Sequence, residues 1–311
     1  MSLLPEPREP RKPMSQKQHN NLWGYLLISP WLLGFLIFTA GPMLASLYLS
    51  FCKYDLHTLE WVGTKNYEIL LTRDGGGLFW KSLTNTAIYV LFAVPLGLTG
   101  SLLLALLLNQ KVKGLPLFRT LFYLPSLVPA VASSLVWLWV FHPDAGLLNY
   151  GLSLIGIKGP AWLLDEHTAL ASLIVMSLWG IGGGRMIIFL AGLQGIPDDL
   201  YEAASLDGAS IWSKFRHVTL PMLSPTIFFN LVLGVIGSFQ VFTSAYIMTS
   251  GGPNNATLMY VLYLYNNAFR YFKLGKASAM AWILFVVLLV FTIIQFRQAS
   301  KWVYYEGGEK E

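Results

Sequence analysis

The sequence predicts an all-α membrane protein of about six transmembrane helices, and three observations carry that prediction. The 311 residues are 55% hydrophobic and only 12% charged, with a mean hydropathy of +0.55, too apolar a balance to clothe a soluble globule. Apolar stretches of about 18 to 27 residues recur along the chain, each long enough for about 30 Å of hydrocarbon. A polar, helix-prone segment, residues 201–221, interrupts this pattern between two such stretches.

Taken in order, a basic, proline-rich tail (1–21) precedes a membrane-embedded region (22–298), and a short tail (299–311) follows it. The stretches fall at 22–45, 86–108, 117–141, 169–193, 222–248 and 279–296. The first has too long an apolar core for a signal peptide and reads as an uncleaved anchor. Pro30, Pro42, Pro95, Pro125 and Pro129 lie inside stretches and predict kinks, tolerated in membranes where neighbours satisfy the freed backbone groups. The lone cysteine, Cys52, excludes an internal disulfide and a thiolate metal cluster and reads as a packing residue at the outer end of the first stretch. Trp137 and Trp139 suit either interfacial anchoring or sugar contact, and residues 251–254, Gly-Gly-Pro-Asn, form a turn by their chemistry alone.

With the N-terminus inside, Arg8, Arg11, Lys12, Lys17, Lys111, Lys113, Arg119, Lys214, Arg216, Arg297, Lys301 and Lys310 are cytoplasmic, 12 in all. Lys53, Lys65, Arg73, Lys81, Lys158, Arg270, Lys273 and Lys276, 8 in all, are outside. That bias places both termini and the 201–221 segment in the cytoplasm. The formal charge of +5 is explained by basic loops beside anionic lipid and calls for no nucleic acid.

All 16 acidic residues fall outside the stretches, which argues against proton- or sodium-coupled carriage, since such carriers place carboxylates or histidines near the midplane. No nucleotide-binding loop occurs: the nearest approach, residues 75–82, lacks the glycine before Lys81. No acid pair or metal-ligand cluster lies in or beside the stretches, so an enzyme is disfavoured. Energy for any transport must come from a partner.

The 201–221 segment is where such a partner would act. Pro197 can open a helix whose first turn carries Asp198 and Asp199, because its fixed φ suits that position and carboxylates favour the positive helix end. Gly208 can end it in the left-handed conformation, and a second short helix over 209–218 is expected to close at Leu220-Pro221. Glu202 sits mid-helix, beyond the first turn where a dipole role would hold it. His217, beside Lys214 and Arg216, reads as a solvated or lipid-facing residue.

Glu202-Ala203-Ala204, Asp207-Gly208 and Leu220-Pro221 together resemble the EAA loop of ABC-importer permeases. Residues 119–125, Trp137-Leu138-Trp139, residues 146–149 and 249–257, and more weakly Trp61-Val62-Gly63 with Asn66-Tyr67, are similar to segments of the carbohydrate-importing members of that family. The resemblance implies a loop (194–221) that docks on a separate ATPase, with Glu202 meeting a basic residue there. It implies the other partners as well: a second permease subunit, two ATPase subunits carrying ATP and magnesium, an extracytoplasmic binding protein, and a sugar as cargo. No cofactor is expected on this chain. The fold it implies is that of a type I importer permease. Other cargoes, such as glycerol phosphate or an oligopeptide, and a non-transporting membrane scaffold are the alternatives.

For the cargo path, residues 179–185, Trp-Gly-Ile-Gly-Gly-Gly-Arg, place four glycines in the fourth stretch, where another helix or a ligand can approach the backbone. The resemblance points to Gly180, Ile181, Gly184, Gly237, Ser238 and Val241, joined by Trp179, Phe239 and Gln240 as aromatic and amide contacts. Arg185 is a charge inside the fourth stretch and either faces the path, favouring an anionic or polyhydroxylated cargo, or snorkels to the inner surface.

Overall fold

A computed structural model describes residues 16–110 and 113–304. Arg8, Arg11, Lys12, Lys111 and Lys310, counted above as cytoplasmic, lie outside these residues.

The first apolar stretch forms α1 (Gln16–Phe35) and α2 (Gly41–Ser50), joined by a π turn at Leu36–Ala40. The six residues 16–21, assigned to the tail by composition, are already helical. Pro42 explains the π turn. A proline removes one helical N–H and its ring crowds the carbonyl four residues back, and the wider turn, closed by the Gly41 N–H on the Leu36 carbonyl, makes room for it. A small hairpin follows, β1 (Cys52–Tyr54) antiparallel to β2 (Leu59–Trp61). At its tip Asp55 accepts from the Thr58 hydroxyl at 2.8 Å and the Thr58 N–H at 3.0 Å, which hold its carboxyl below the ordinary 3.8. Asn66 ties the hairpin to α2 by donating to the Ser50 and Cys52 carbonyls at 2.9 and 2.8 Å. Cys52 is fully buried, and a Cβ at Gly275 would strike its carbonyl oxygen, so the sixth span packs directly on the hairpin.

After α3 (Lys65–Leu71), the second stretch forms the long α4 (Arg73–Leu108), which continues through Pro95 without a break, as α1 does through Pro30. The kinks expected at Pro30 and Pro95 are therefore absent as helix breaks. Losing a single helical bond is tolerated within a long apolar helix.

The third and fourth stretches are broken. α5 (Leu115–Tyr123) and a 3-10 turn at Leu124–Leu127 meet α6 (Ala130–Val140) at 95°, where Pro125 and Pro129 fall. α7 (Leu147–Leu154) lies in the following loop. α8 (Ala169–Ser177) and a 3-10 turn at Leu178–Gly180 meet α9 (Gly184–Gln194) at 47°, the glycines 182 to 184 being the break. α10 (Asp198–Leu206) and α11 (Ile211–Lys214) form the polar loop. A π turn at Phe215–Thr219 then leads without interruption into α12 (Leu220–Phe239). α13 (Thr243–Met248), α14 (Tyr260–Tyr265), a third π turn at Asn266–Arg270 and α15 (Leu274–Ala299) complete the chain.

Four runs, His19–Ser50, Gly77–Leu108, Ile211–Met248 and Leu274–Ala299, are long and apolar enough to span a membrane, and the two bent pairs raise the number to six. Two clusters hold them together. The larger gathers Phe79, Phe141, Leu173, Tyr260 and Met280 from α4, α6, α8, α14 and α15. The smaller, around Leu104, Phe189, Leu193 and Leu223, joins α4, α9 and α12 beneath the polar loop. α1 takes no part in either, and its most apolar window has 0% of its residues buried.

Candidate functional site

The polar loop is internally ordered. Pro197 stands before α10, whose first turn carries Asp198 and Asp199. Its C-terminus is a Schellman motif: Ala209 N–H donates to the Ala204 carbonyl at 2.9 Å and Gly208 N–H to the Ser205 carbonyl at 3.1 Å, with Gly208 at φ +74°. Ser210 caps α11 by accepting from the Ser213 N–H at 3.3 Å. Lys214 Nζ, 2.6 Å from Ser205 Oγ, and the Tyr201 hydroxyl, 3.0 Å from Thr219 Oγ1, lock the two short helices together. Tyr201 and Val218 pack on the smaller core cluster, so the loop is seated on the spans.

One expectation is corrected here. Leu220-Pro221 does not close the second helix: the π turn, with the Leu220 N–H on the Phe215 carbonyl, widens the backbone ahead of Pro221 and the helix runs on into α12. The same arrangement precedes Pro42, each proline standing two residues after its π turn.

The outward face of the loop is unexpectedly apolar. Leu206, Ile211 and Trp212 are 90%, 89% and 67% exposed, beside the exposed Glu202, Ala203, Asp207 and Gly208 and the half-buried Ala204. Glu202 makes no ion pair and no side-chain hydrogen bond among the described residues. The loop's sequence motifs do not single out these three large side chains. The available signal was their position, since they flank the Gly208 turn where no amphipathic core face requires them.

The breaks of the third and fourth spans and the segment following α12 converge on a cavity of about 490 Å³. Pro125, Ser126, Ser133, Ser134, Trp179, Gly180, Val241, Thr243 and Ser244 are among its walls. The Trp179 ring stands edge-on to Trp137 at 5.7 Å. Of the sequence-derived path residues, Trp179, Gly180 and Val241 are brought together here. Gly184, Gly237 and Gln240 are exposed and Ser238 half-buried, outside the walls of this cavity. Phe239 is 3% exposed and packs on Phe291 at 5.3 Å, in the core. Ile181 faces α4, its carbonyl accepting from Ser101 Oγ at 2.7 Å. The Arg185 guanidinium is directed between α4 and α12, where Gly97 and Gly234 leave it a slot: a Cβ at Gly97 would lie 2.8 Å from Nη1. The hydroxyls of Ser126, Ser133, Thr243 and Ser244 were missed in the sequence, although Ser126 directly after Pro125, and small polar pairs a few residues after Pro129 and Gln240, are a readable signal. A wider groove of about 660 Å³ between α4, α12 and α15 is apolar but for Thr84 and Gln295 and offers a hydroxylated ligand little. No group of three metal-ligating side chains occurs among the described residues.

Comparison with known proteins bears on this geometry. Residues 93–303 match the family described as binding-protein-dependent transport system inner membrane component. The probable ABC transporter permease protein YesP of Bacillus subtilis is 46% identical, covering 94% of this chain and 94% of YesP. The lactose transport system permease protein LacF of Rhizobium radiobacter is 35% identical over 92% of this chain and 97% of its own. The trehalose/maltose transport system permease protein MalF of Thermococcus litoralis is 34% identical over 88% and 92%. A chain in the crystal structure of a bacterial ABC transporter involved in the import of the acidic polysaccharide alginate shares the fold, with a TM-score of 0.81 at 23% identity over 92% of this chain and 98% of that one.

Proposed function

We propose, for a chain that belongs to the family of binding-protein-dependent transport system inner membrane components, that its cargo is a sugar and that the loop 201–221 is where energy from ATP hydrolysis enters. The chain is a membrane-spanning permease subunit of an ABC importer and not a catalytic subunit. Its sugar reading is supported by the lactose and trehalose/maltose permeases it is similar to, and by the hydroxyl-lined, tryptophan-walled cavity at the span breaks. Trp179, Gly180, Val241 and the neighbouring serines carry the outer part of the path.

The observation that carries the coupling role is the exposed apolar face of a loop whose backbone is already satisfied. Leu206, Ile211 and Trp212 gain from being covered, and Glu202 beside them lacks a basic partner among the described residues. The partners are a second permease subunit, two ATPase subunits with ATP and magnesium, and an extracytoplasmic binding protein. Both termini and the loop face the cytoplasm, in line with the lysine and arginine bias. When the ATPases close, the loop moves as a rigid body, and its unbroken junction with α12 transmits that motion to the spans lining the cavity.

The test is charge reversal at Glu202. In the complete complex in vesicles, Glu202→Lys should leave assembly of the permease pair intact and lower binding-protein-stimulated ATP hydrolysis and uptake at least tenfold. Unchanged stimulation would remove the coupling role. Uptake of labelled lactose, maltose and arabinotriose by the unaltered complex tests the sugar.

A further inference from the structure

We infer that the path through this chain holds a second cargo site, a crevice between α5 and α9 that takes the hydroxyls of a sugar, in series with the cavity at the span breaks. The inference rests on the sugar reading above.

The crevice has a volume of about 360 Å³ and is lined by Arg119, Thr120 and Tyr123 of α5 and Met186, Ile187 and Leu190 of α9. It follows the seam that also forms the first cavity. Along one side of the seam, residues 119–123 line the crevice and 125–126 the cavity; along the other, 186–190 and 179–180 do so. Between the two, the walls touch. A Cβ at Gly182 would collide with the Phe122 carbonyl, and one at Gly183 would lie 2.9 Å from the Ser126 Cβ. The close contact at these glycines therefore separates the crevice from the cavity along the seam.

The chemistry of the crevice fits a sugar. Arg119 is fixed by one bond, from Nη2 to the Leu108 carbonyl at 3.1 Å, while its Nε is buried and has no partner among the described residues. Only one other buried side-chain atom among the described residues, Gln295 Oε1, is in that state. Buried donors are paired in almost every case, and an exception calls for a ligand or water. The Tyr123 hydroxyl makes no hydrogen bond within the described residues. Thr120 donates to the Pro116 carbonyl at 3.0 Å, and its oxygen keeps its acceptor capacity. Opposite these groups, Met186, Ile187 and Leu190 present an apolar wall. Hydroxyls on a ring with an apolar face meet both walls at once, whereas an acyl chain would leave the arginine donor unpaired. The crevice contains no carboxylate, which disfavours a cation.

Cys52, the only cysteine, is fully buried, so Ile187→Cys supplies one reactive thiol inside the crevice. The complete complex in nanodiscs is labelled with a maleimide in the presence of lactose, maltose or arabinotriose. A sugar that the complex also takes up should slow labelling at least fivefold. Tyr123→Phe, which keeps the ring, and Arg119→Gln should each raise the half-protecting concentration about tenfold. Unchanged labelling with a sugar that the same complex accumulates overturns the second site and leaves the cargo assignment standing. So does protection indifferent to Tyr123→Phe, a variant that does not disturb the Leu108 bond. Failure to take up any of the three sugars overturns the sugar reading, and this site falls with it.

Discussion

The turn at residues 249–258 and the loop at 198–221 are both polar interruptions of an apolar chain, yet the first is sewn into the bundle, whereas the second is seated on it through Tyr201 and Val218 and leaves its largest apolar side chains exposed. Asn85 of α4 donates to the Asn255 and Leu258 carbonyls at 2.9 and 3.2 Å. Thr257 donates to the Gly252 carbonyl at 2.6 Å, and the Tyr260 N–H that follows donates to Thr86 Oγ1 at 2.8 Å. The Tyr260 hydroxyl reaches the Met280 carbonyl at 2.7 Å, and its ring is fully buried against Phe79 at 5.7 Å. In the loop, by contrast, most hydrogen bonds stay within the loop itself, and its large apolar side chains point away from the spans. A segment that spends its side chains on its own chain is scaffold. One that bonds its backbone within itself yet leaves leucine, isoleucine and tryptophan in the open fits the docking role proposed for it.

That contrast can be broken at three places. Tyr260→Ala removes a buried ring together with its hydroxyl's bond to the Met280 carbonyl, and should lower stability by about 3 to 5 kcal/mol, read as thermal unfolding of the purified permease. A loss below about 1 kcal/mol would mean that the turn is not part of the scaffold. Next, Leu206→Asp with Trp212→Ala should weaken capture of the ATPase subunits about a hundredfold in a pull-down titration, with little change in the unfolding midpoint. A large fall in the midpoint with undiminished capture would reverse the roles of the two regions.

The smallest effect is at the hairpin. The folded Asp55 carboxyl is held below its ordinary 3.8 by Thr58, so its contribution is present above that value and lost as pH falls through the lower folded one. Thr58→Val should move the Asp55 titration, followed by selective labelling and NMR, upward toward 3.8, with no measurable change in uptake. No movement would separate the carboxyl from the threonine.

How much of this was legible in the sequence depended on range. The six stretches and the Gly208 helix end follow from short-range hydropathy and glycine conformation, and the structure repeats them. The continuation through Pro221 was not legible, because the proline rule forecasts a stop and only a widened turn, invisible in the pattern, accommodates the ring. Pro30 and Pro95 against Pro125 and Pro129 make the same point: like residues in like stretches, and only the second pair falls at a break. The direction of Arg185 depends on Gly97 and Gly234, far away in the chain. The meeting of Ser126 with Gly183 likewise joins two separate broken spans, which no local spacing announces.

The π turn ahead of α12 also fixes an angle. Each residue of a helix advances the chain by about 100° around its axis, so the extra residue held at Phe215–Thr219 sets the compass direction in which α11, with Ile211 and Trp212, points relative to the far end of α12. Deleting one residue there would restore a regular helix and swing the loop through about a quarter-turn. The exposed face of Leu206, Ile211 and Trp212 would survive intact but turned aside, so the register of one turn sets the direction in which the proposed docking surface is aimed.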